Sequence, residues 1–146
     1  RLWRMRHGAY HACRALRPGA TGVVTDVCVP MPHLPAAVAA AAADIAGAGL
    51  IGPIVGHVGD GNFHAQILVE PGNATELAEA KRIATRMAER ALRVGGTITG
   101  EHGVGIGKRG LMAAEHGEGW QVMGAIKTAL DPRDILNPGK LVPDRN

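Results

Sequence analysis

The dipeptide Asp60-Gly61 stands between two apolar runs, residues 54–58 and 62–69, and each run carries a histidine near the turn. Such a dipeptide is the strongest short-range hairpin signal, because a type I′ turn needs positive φ at both central residues. A two-residue turn pairs Gly59 with Asn62, Val58 with Phe63, and His57 with His64. Directly opposed side chains share a face and stand about 5 Å apart. Two imidazoles at that distance can hold one metal ion, and Glu101 is the best candidate for a third ligand. Register decides the matter. A turn one residue longer would send the two histidines to opposite faces.

The rest of the chain supplies layers for this hairpin. Residues 1–16 read as the end of a basic helix, stopped by Arg17-Pro18-Gly19. Residues 23–29 alternate valines with other side chains and read as one strand, ended by Pro30 and Pro32. Pro35 to about Ala48 reads as a helix with the stripe Leu34, Val38, Ala41, Ile45 and Ala48. Asn73 with Glu76 three residues on is a helix-start signal. That helix runs to about Val94 with a stripe at Leu77, Ala80, Ala84, Met87 and Ala91, and Gly95-Gly96 ends it. Residues 97–100 read as a short strand, and residues 121–130 as a last helix with Val122, Ile126 and Leu130 on its stripe, closed by Asp131-Pro132.

The order β-α-β-β-α-β followed by a helical tail predicts an α+β fold: a ferredoxin-like split βαβ antiparallel sheet with both helices on one face. Phe63, Ala65, Ile67 and Val69 should meet the helices. His57, His64, Gln66 and Leu68 fall on the other face, which is predicted to be open until another domain or subunit covers it.

At 146 residues the chain can build one domain with a real core. Aromatic residues are few, namely Trp3, Tyr10, Phe63 and Trp120, so the core should be built from small residues at close approach. A net charge of +3, with scattered Lys and Arg and no interleaved aromatics, argues against nucleic-acid binding. Two cysteines make no disulfide framework, which favours a reducing, cytoplasmic location, in solution or at the membrane periphery. The run near residues 36–43 is too short to span a bilayer, and no signal peptide is visible. The chain opens with Arg1 rather than Met, consistent with a piece of something longer.

His57, His64 and Glu101 make a plausible N,N,O set, and three protein ligands with positions left open is a catalytic arrangement. Two hydrogen-bonded histidines on a half-buried sheet is the plainer reading of the same spacing. His102 could act as a general base near neutral pH. Arg6 is either a surface arginine or a bidentate carboxylate clamp. Asp60 is read as turn chemistry. Residues 105–110 match G-x-G-x-x-G but lack the βαβ unit and its acidic partner, and Gly107-Lys108-Arg109 fails the Walker pattern.

Gly56-His57-Val58-Gly59-Asp60-Gly61-Asn62-Phe63-His64, Gly100-Glu101-His102-Gly103-Val104-Gly105 and the tail from Asp131-Pro132 to Asn137-Pro138-Gly139-Lys140 together resemble the C-terminal region of FAD-linked 2-hydroxyacid oxidoreductases. Trp3 with Arg6 and the stretch Thr25-Asp26-Val27-Cys28-Val29-Pro30 look like the D-lactate dehydrogenase branch that uses cytochrome-type acceptors. The glycolate oxidase flavin subunit and D-2-hydroxyglutarate dehydrogenase are similar at greater distance. The resemblance implies a cap domain over about residues 1–100, a helical tail over about 101–146, and a separate N-terminal FAD-binding domain.

It also implies roles. His57, His64 and Glu101 match the divalent-metal ligands, Zn, Mn or Fe. Arg6 matches the arginine on the substrate carboxylate, His102 the base taking the hydroxyl proton, and Asn137 a residue near the flavin. Members acting on hydroxyglutarate carry a Lys two positions before the aspartate that corresponds to Asp26. Val24 stands there, which favours a short monocarboxylate such as D-lactate. The implied reaction gives the 2-keto acid by hydride transfer to FAD, with a cytochrome, quinone or electron-transfer flavoprotein as the final acceptor. Two other readings stay open: a stand-alone metal-binding ferredoxin-like interaction domain, and a zinc hydrolase that uses Glu101 or His102 to activate water.

Overall fold

The computed structural model describes residues 2–144, with the side chains of residues 2–4, 6 and 7 outside that description. The chain divides into two units, Arg1–Gly100 and Glu101–Asn146.

The first unit opens with helix α1 (Leu2–Ala15). Its sheet is built on β4 (Asn62–Val69), whose residues are all buried. β1 (Thr21–Val24) and β2 (Val27–Cys28) run antiparallel to β4, with Val24 opposite Gln66 and Val27 opposite Phe63. β3 (Ile54–His57) is antiparallel too, with Gly56 opposite Phe63. β2 and β3 therefore share Phe63 as a partner and flank β4 on opposite edges.

The single strand expected over residues 23–29 is two strands, interrupted at Thr25-Asp26. Register is kept across the gap, so the break is local rather than a slip. Its cause is a threonine side chain. The Thr25 N–H still donates to the Ala65 carbonyl at 2.9 Å, but the Ala65 N–H donates to Thr25 Oγ1 at 2.8 Å. The Thr25 carbonyl is thereby released from the ladder. The strand expected over residues 97–100 is reduced to one bridge between Cys28 and Thr97. Beyond it Thr99 and Gly100 donate to the Asp26 carboxylate at 2.9 and 3.0 Å instead of extending the sheet.

The hairpin forms, but not with the expected turn. His57 lies opposite Asn62 and Val55 opposite His64, so the loop holds four residues, 58–61. Residues Val58–Asp60 form a 3-10 turn, and Gly61 takes the left-handed conformation at φ +73°. A type I′ turn would need Asp60 at positive φ as well, and Asp60 is not there. Gly61 is held by Val29: its carbonyl accepts the Val29 N–H at 3.0 Å, and a Cβ built on it would lie 2.0 Å from the Val29 oxygen. The register thus differs from expectation by two residues, an even number, and every side chain keeps its predicted face.

Helix α2 (Leu34–Gly47) buries Leu34, Ala41 and Ile45. Helix α3 (Ala74–Arg93) starts as expected, with Asn73 Oδ1 accepting from the Glu76 N–H at 3.1 Å. The Glu76 carboxylate turns away from a reciprocal cap, onto Arg17 and the Glu70 N–H. The buried stripe of α3 is Ala80, Ile83, Met87, Ala88 and Ala91. Leu77 is exposed, so the expected stripe was rotated by part of a turn. The helices are also tied by charge, since Asp44 of α2 accepts from Arg90 and Arg86 of α3. The Arg90 guanidinium, with Arg86 adding to it, holds the Asp44 carboxyl below the usual carboxylate range. Small residues at zero exposure, Ala41, Ala65 and Ala80, let these layers approach closely. The other sheet face is not bare, because His64, Gln66 and Leu68 are buried. The open face expected there is corrected by that burial.

In the second unit a short helix the pattern did not reveal, α4 (Met112–His116), precedes α5 (Gly119–Leu130). The expected stripe of α5, Val122, Ile126 and Leu130, is exposed. The buried Asp131 organises the turn after it. Its carboxylate accepts from Lys127 and from the N–H groups of Ile135 and Leu136 at 3.1 and 2.9 Å. Lys127 first, then these backbone donors, pull its carboxyl down to about 2. Trp120 donates to the Leu141 carbonyl at 2.8 Å and fastens the tail. Among the described residues no helix is long and apolar enough to cross a membrane.

Candidate metal centre

The face of β4 opposite the helices carries His64, and the edge beside it carries His57. Opposition across the ladder is corrected to a diagonal: His57 faces Asn62, and His64 lies two residues further along. Diagonal neighbours on one face remain within reach of long or aromatic side chains. The two rings have centroids 6.3 Å apart and stand nearly perpendicular, at 87°.

His64 is fixed by the strand break. Its Nδ1 lies 3.0 Å from the Thr25 carbonyl, which can only accept, so Nδ1 carries the proton and Nε2 the lone pair. A carbonyl or carboxylate on the far ring nitrogen is how metal-binding histidines are usually oriented. Asp26 Oδ1 lies 3.5 Å from the same Nδ1. That aspartate is 3% exposed and is hydrogen-bonded on both oxygens.

Gly100, pinned through its N–H to Asp26, is joined directly to Glu101. One peptide link carries the chain about 3.8 Å between α-carbons. Donor-capable atoms of His57, His64 and Glu101 lie within 4.8 Å of one another. Donors on opposite sides of an ion ligated at about 2.1 Å span a similar distance. Two imidazoles and a carboxylate suit a borderline divalent ion, so the residues present fit such a group.

The other predicted residues are placed as follows. His102 is 59% exposed at its side chain, with Nε2 3.7 Å from Glu101 Oε1. Asn137 is exposed in the second unit at φ +50°. The Arg6 side chain lies outside the described residues. Sequence reasoning did not single out Thr25 and Asp26 as a support for the histidine. The available signal was a polar pair set inside a valine run, where an unassisted buried carboxylate would be costly.

The first unit is thus an α+β unit that carries a histidine pair on its sheet. Residues 1–141 match the family described as FAD linked oxidases, C-terminal domain, and the chain belongs to that family. Over 143 residues it is 47% identical to the probable mitochondrial D-lactate dehydrogenase of Danio rerio, covering 97% of this chain and 29% of that protein. It is 43% identical over 143 residues to the mitochondrial D-lactate dehydrogenase [cytochrome] of Arabidopsis thaliana, covering 97% of this chain and 25% of that protein. It is 38% identical over 142 residues to the glycolate oxidase subunit GlcD of Bacillus subtilis (strain 168), covering 96% of this chain and 30% of that protein. The chain thus spans less than a third of the length of these relatives.

Proposed function

We propose that this chain is the metal- and substrate-binding part of a flavin-dependent dehydrogenase that oxidises a D-2-hydroxy acid, D-lactate foremost, to the 2-keto acid. The observation that carries the reading is the convergence of His57, His64 and Glu101. Family membership supports FAD, which in this reading accepts the hydride and is held mainly by a further domain, and the names of the relatives support a hydroxy-acid substrate and a cytochrome-type acceptor. We also read the first unit as a ferredoxin-like sheet in which Thr97 is the stub of the fourth strand.

In this reading His57, His64 and Glu101 hold a divalent ion, which when bound would supply Lewis-acid polarisation of the substrate hydroxyl oxygen. Arg6 grips the carboxylate with its planar fork and sets which face of C2 is presented. His102, the residue after Glu101, takes the hydroxyl proton as C2 loses its hydride and the C–O bond becomes the keto C=O. Asn137 lies toward the flavin. Val24 puts an apolar side chain where members acting on hydroxyglutarate carry a lysine, which favours a monocarboxylate.

The test begins with metal content by mass spectrometry after dialysis, on the wild type and on His64→Ala, with circular dichroism to establish that both are folded. Near-stoichiometric Zn, Mn or Fe in the wild type, lost in the folded variant, is expected. Absence of metal from the folded wild type refutes the reading. The full-length protein should then reduce a dye acceptor with D-lactate in preference to D-2-hydroxyglutarate, whereas this chain alone turns over neither.

A further inference from the structure

Asp26 meets both segments from which the metal donors come. Oδ1 accepts from Asn62 Nδ2 at 2.9 Å and lies 3.5 Å from His64 Nδ1. Oδ2 accepts from the Thr99 hydroxyl at 2.9 Å and from the Gly100 N–H at 3.0 Å. Asn62 is itself buried and donates on to the Val27 carbonyl at 3.0 Å, which fixes how it presents its amide. One side of this carboxylate therefore faces the histidine of β4, and the other fixes the backbone immediately before Glu101. The packing leaves no slack: a Cβ on Gly100 would fall 1.8 Å from Asn62 Nδ2 and 2.9 Å from Asp26 Oδ1.

We infer that Asp26 is a positioning residue for the metal centre, acting on the His64 ring together with the Thr25 carbonyl and setting the place where the Glu101 segment begins. The inference rests on the metal-site reading proposed above. Asp26 need not touch the ion. A carboxylate beside the protonated nitrogen makes an imidazole a better donor through its other nitrogen. Three hydrogen bonds accepted by one buried anion are harder to replace than any single bond, because an unpaired partner would stay buried.

Asp26→Asn is the informative variant, since it keeps shape and size. An amide has one acceptor oxygen. If its NH2 faces Asn62, two donors oppose each other; if it faces Gly100, that N–H loses its acceptor. Thr99→Val, which exchanges the donating hydroxyl for a methyl of similar size, is the milder companion. The affinity for Zn²⁺ and the d–d absorption spectrum with Co²⁺ are measured on the wild type and both variants, at a temperature where circular dichroism shows each to be folded.

The expected result is a 10- to 100-fold loss of affinity in Asp26→Asn with an altered Co²⁺ spectrum, and a smaller loss in Thr99→Val. Should Asp26→Asn be folded at no temperature, Thr99→Val decides alone, with any measurable loss of affinity in favour. A merely structural role would lower the melting temperature and leave affinity and spectrum at wild-type values in the folded variants; that outcome overturns the inference and spares the metal site. A folded wild type that takes up neither ion overturns both.

Discussion

Gly61→Ala probes the contact that sets the hairpin loop. Gly61 sits at φ +73°, where a Cβ costs about 1–2 kcal/mol. The new methyl would also lie 2.0 Å from the Val29 carbonyl oxygen, a backbone atom that cannot swing aside. Moving one backbone off the other would strain packing by about 1–3 kcal/mol. It would also stretch the Val29 N–H bond to the Gly61 carbonyl, worth about 1 kcal/mol. The expected total is about 3–6 kcal/mol. Gly59→Ala is the internal control, because that position has no positive φ and no atom within 4 Å of an added Cβ. It should shift stability by less than about 0.5 kcal/mol. Urea unfolding followed by circular dichroism measures both. If Gly61→Ala costs less than 1 kcal/mol, the loop is not held against Val29, and the account of its four-residue length fails.

Ile83→Ala should cost about 2–4 kcal/mol and Leu77→Ala under 1 kcal/mol by thermal melting, because Ile83 is fully buried and Leu77 is 38% exposed. Equal losses would mean that the helix presents the other stripe. Asp44→Ala should loosen the two long helices by about 1 kcal/mol, and less in high salt, since its arginine partners are partly exposed. An unchanged denaturation midpoint at low salt would contradict this. The Asp131 carboxyl is depressed to about 2 from an ordinary 3.8, so its stabilisation is complete above pH 3.8 and is lost as pH falls through about 2. Trp120 fluorescence in a Trp3→Phe background should report release of the tail over that window, and Asp131→Asn should abolish the transition. A transition unchanged in that variant would assign it to another group.

The sequence determined which side chains share a face. Alternation along residues 54–69 has a period of two, so His57 and His64 stay on one face under any even shift of register, and the observed register is shifted by two. It determined the start of α3 as well, because Asn73 needs only its own oxygen and a backbone N–H three residues on. These features are local, and short-range chemistry suffices to read them.

Tertiary structure decided the rest. The loop length came from Val29, 32 positions away in the chain, which accepts close approach only from a glycine. The break at Thr25-Asp26 came from a hydroxyl taking the place of a carbonyl opposite Ala65, a choice available only once β4 lies alongside. The burial of Asp26 followed from three hydrogen-bond donors on two segments distant from it in sequence, Asn62 on β4 and Thr99-Gly100. A polar pair in a valine run marks such a place; it cannot say which partners will satisfy it, because those hydrogen bonds form only when distant segments meet.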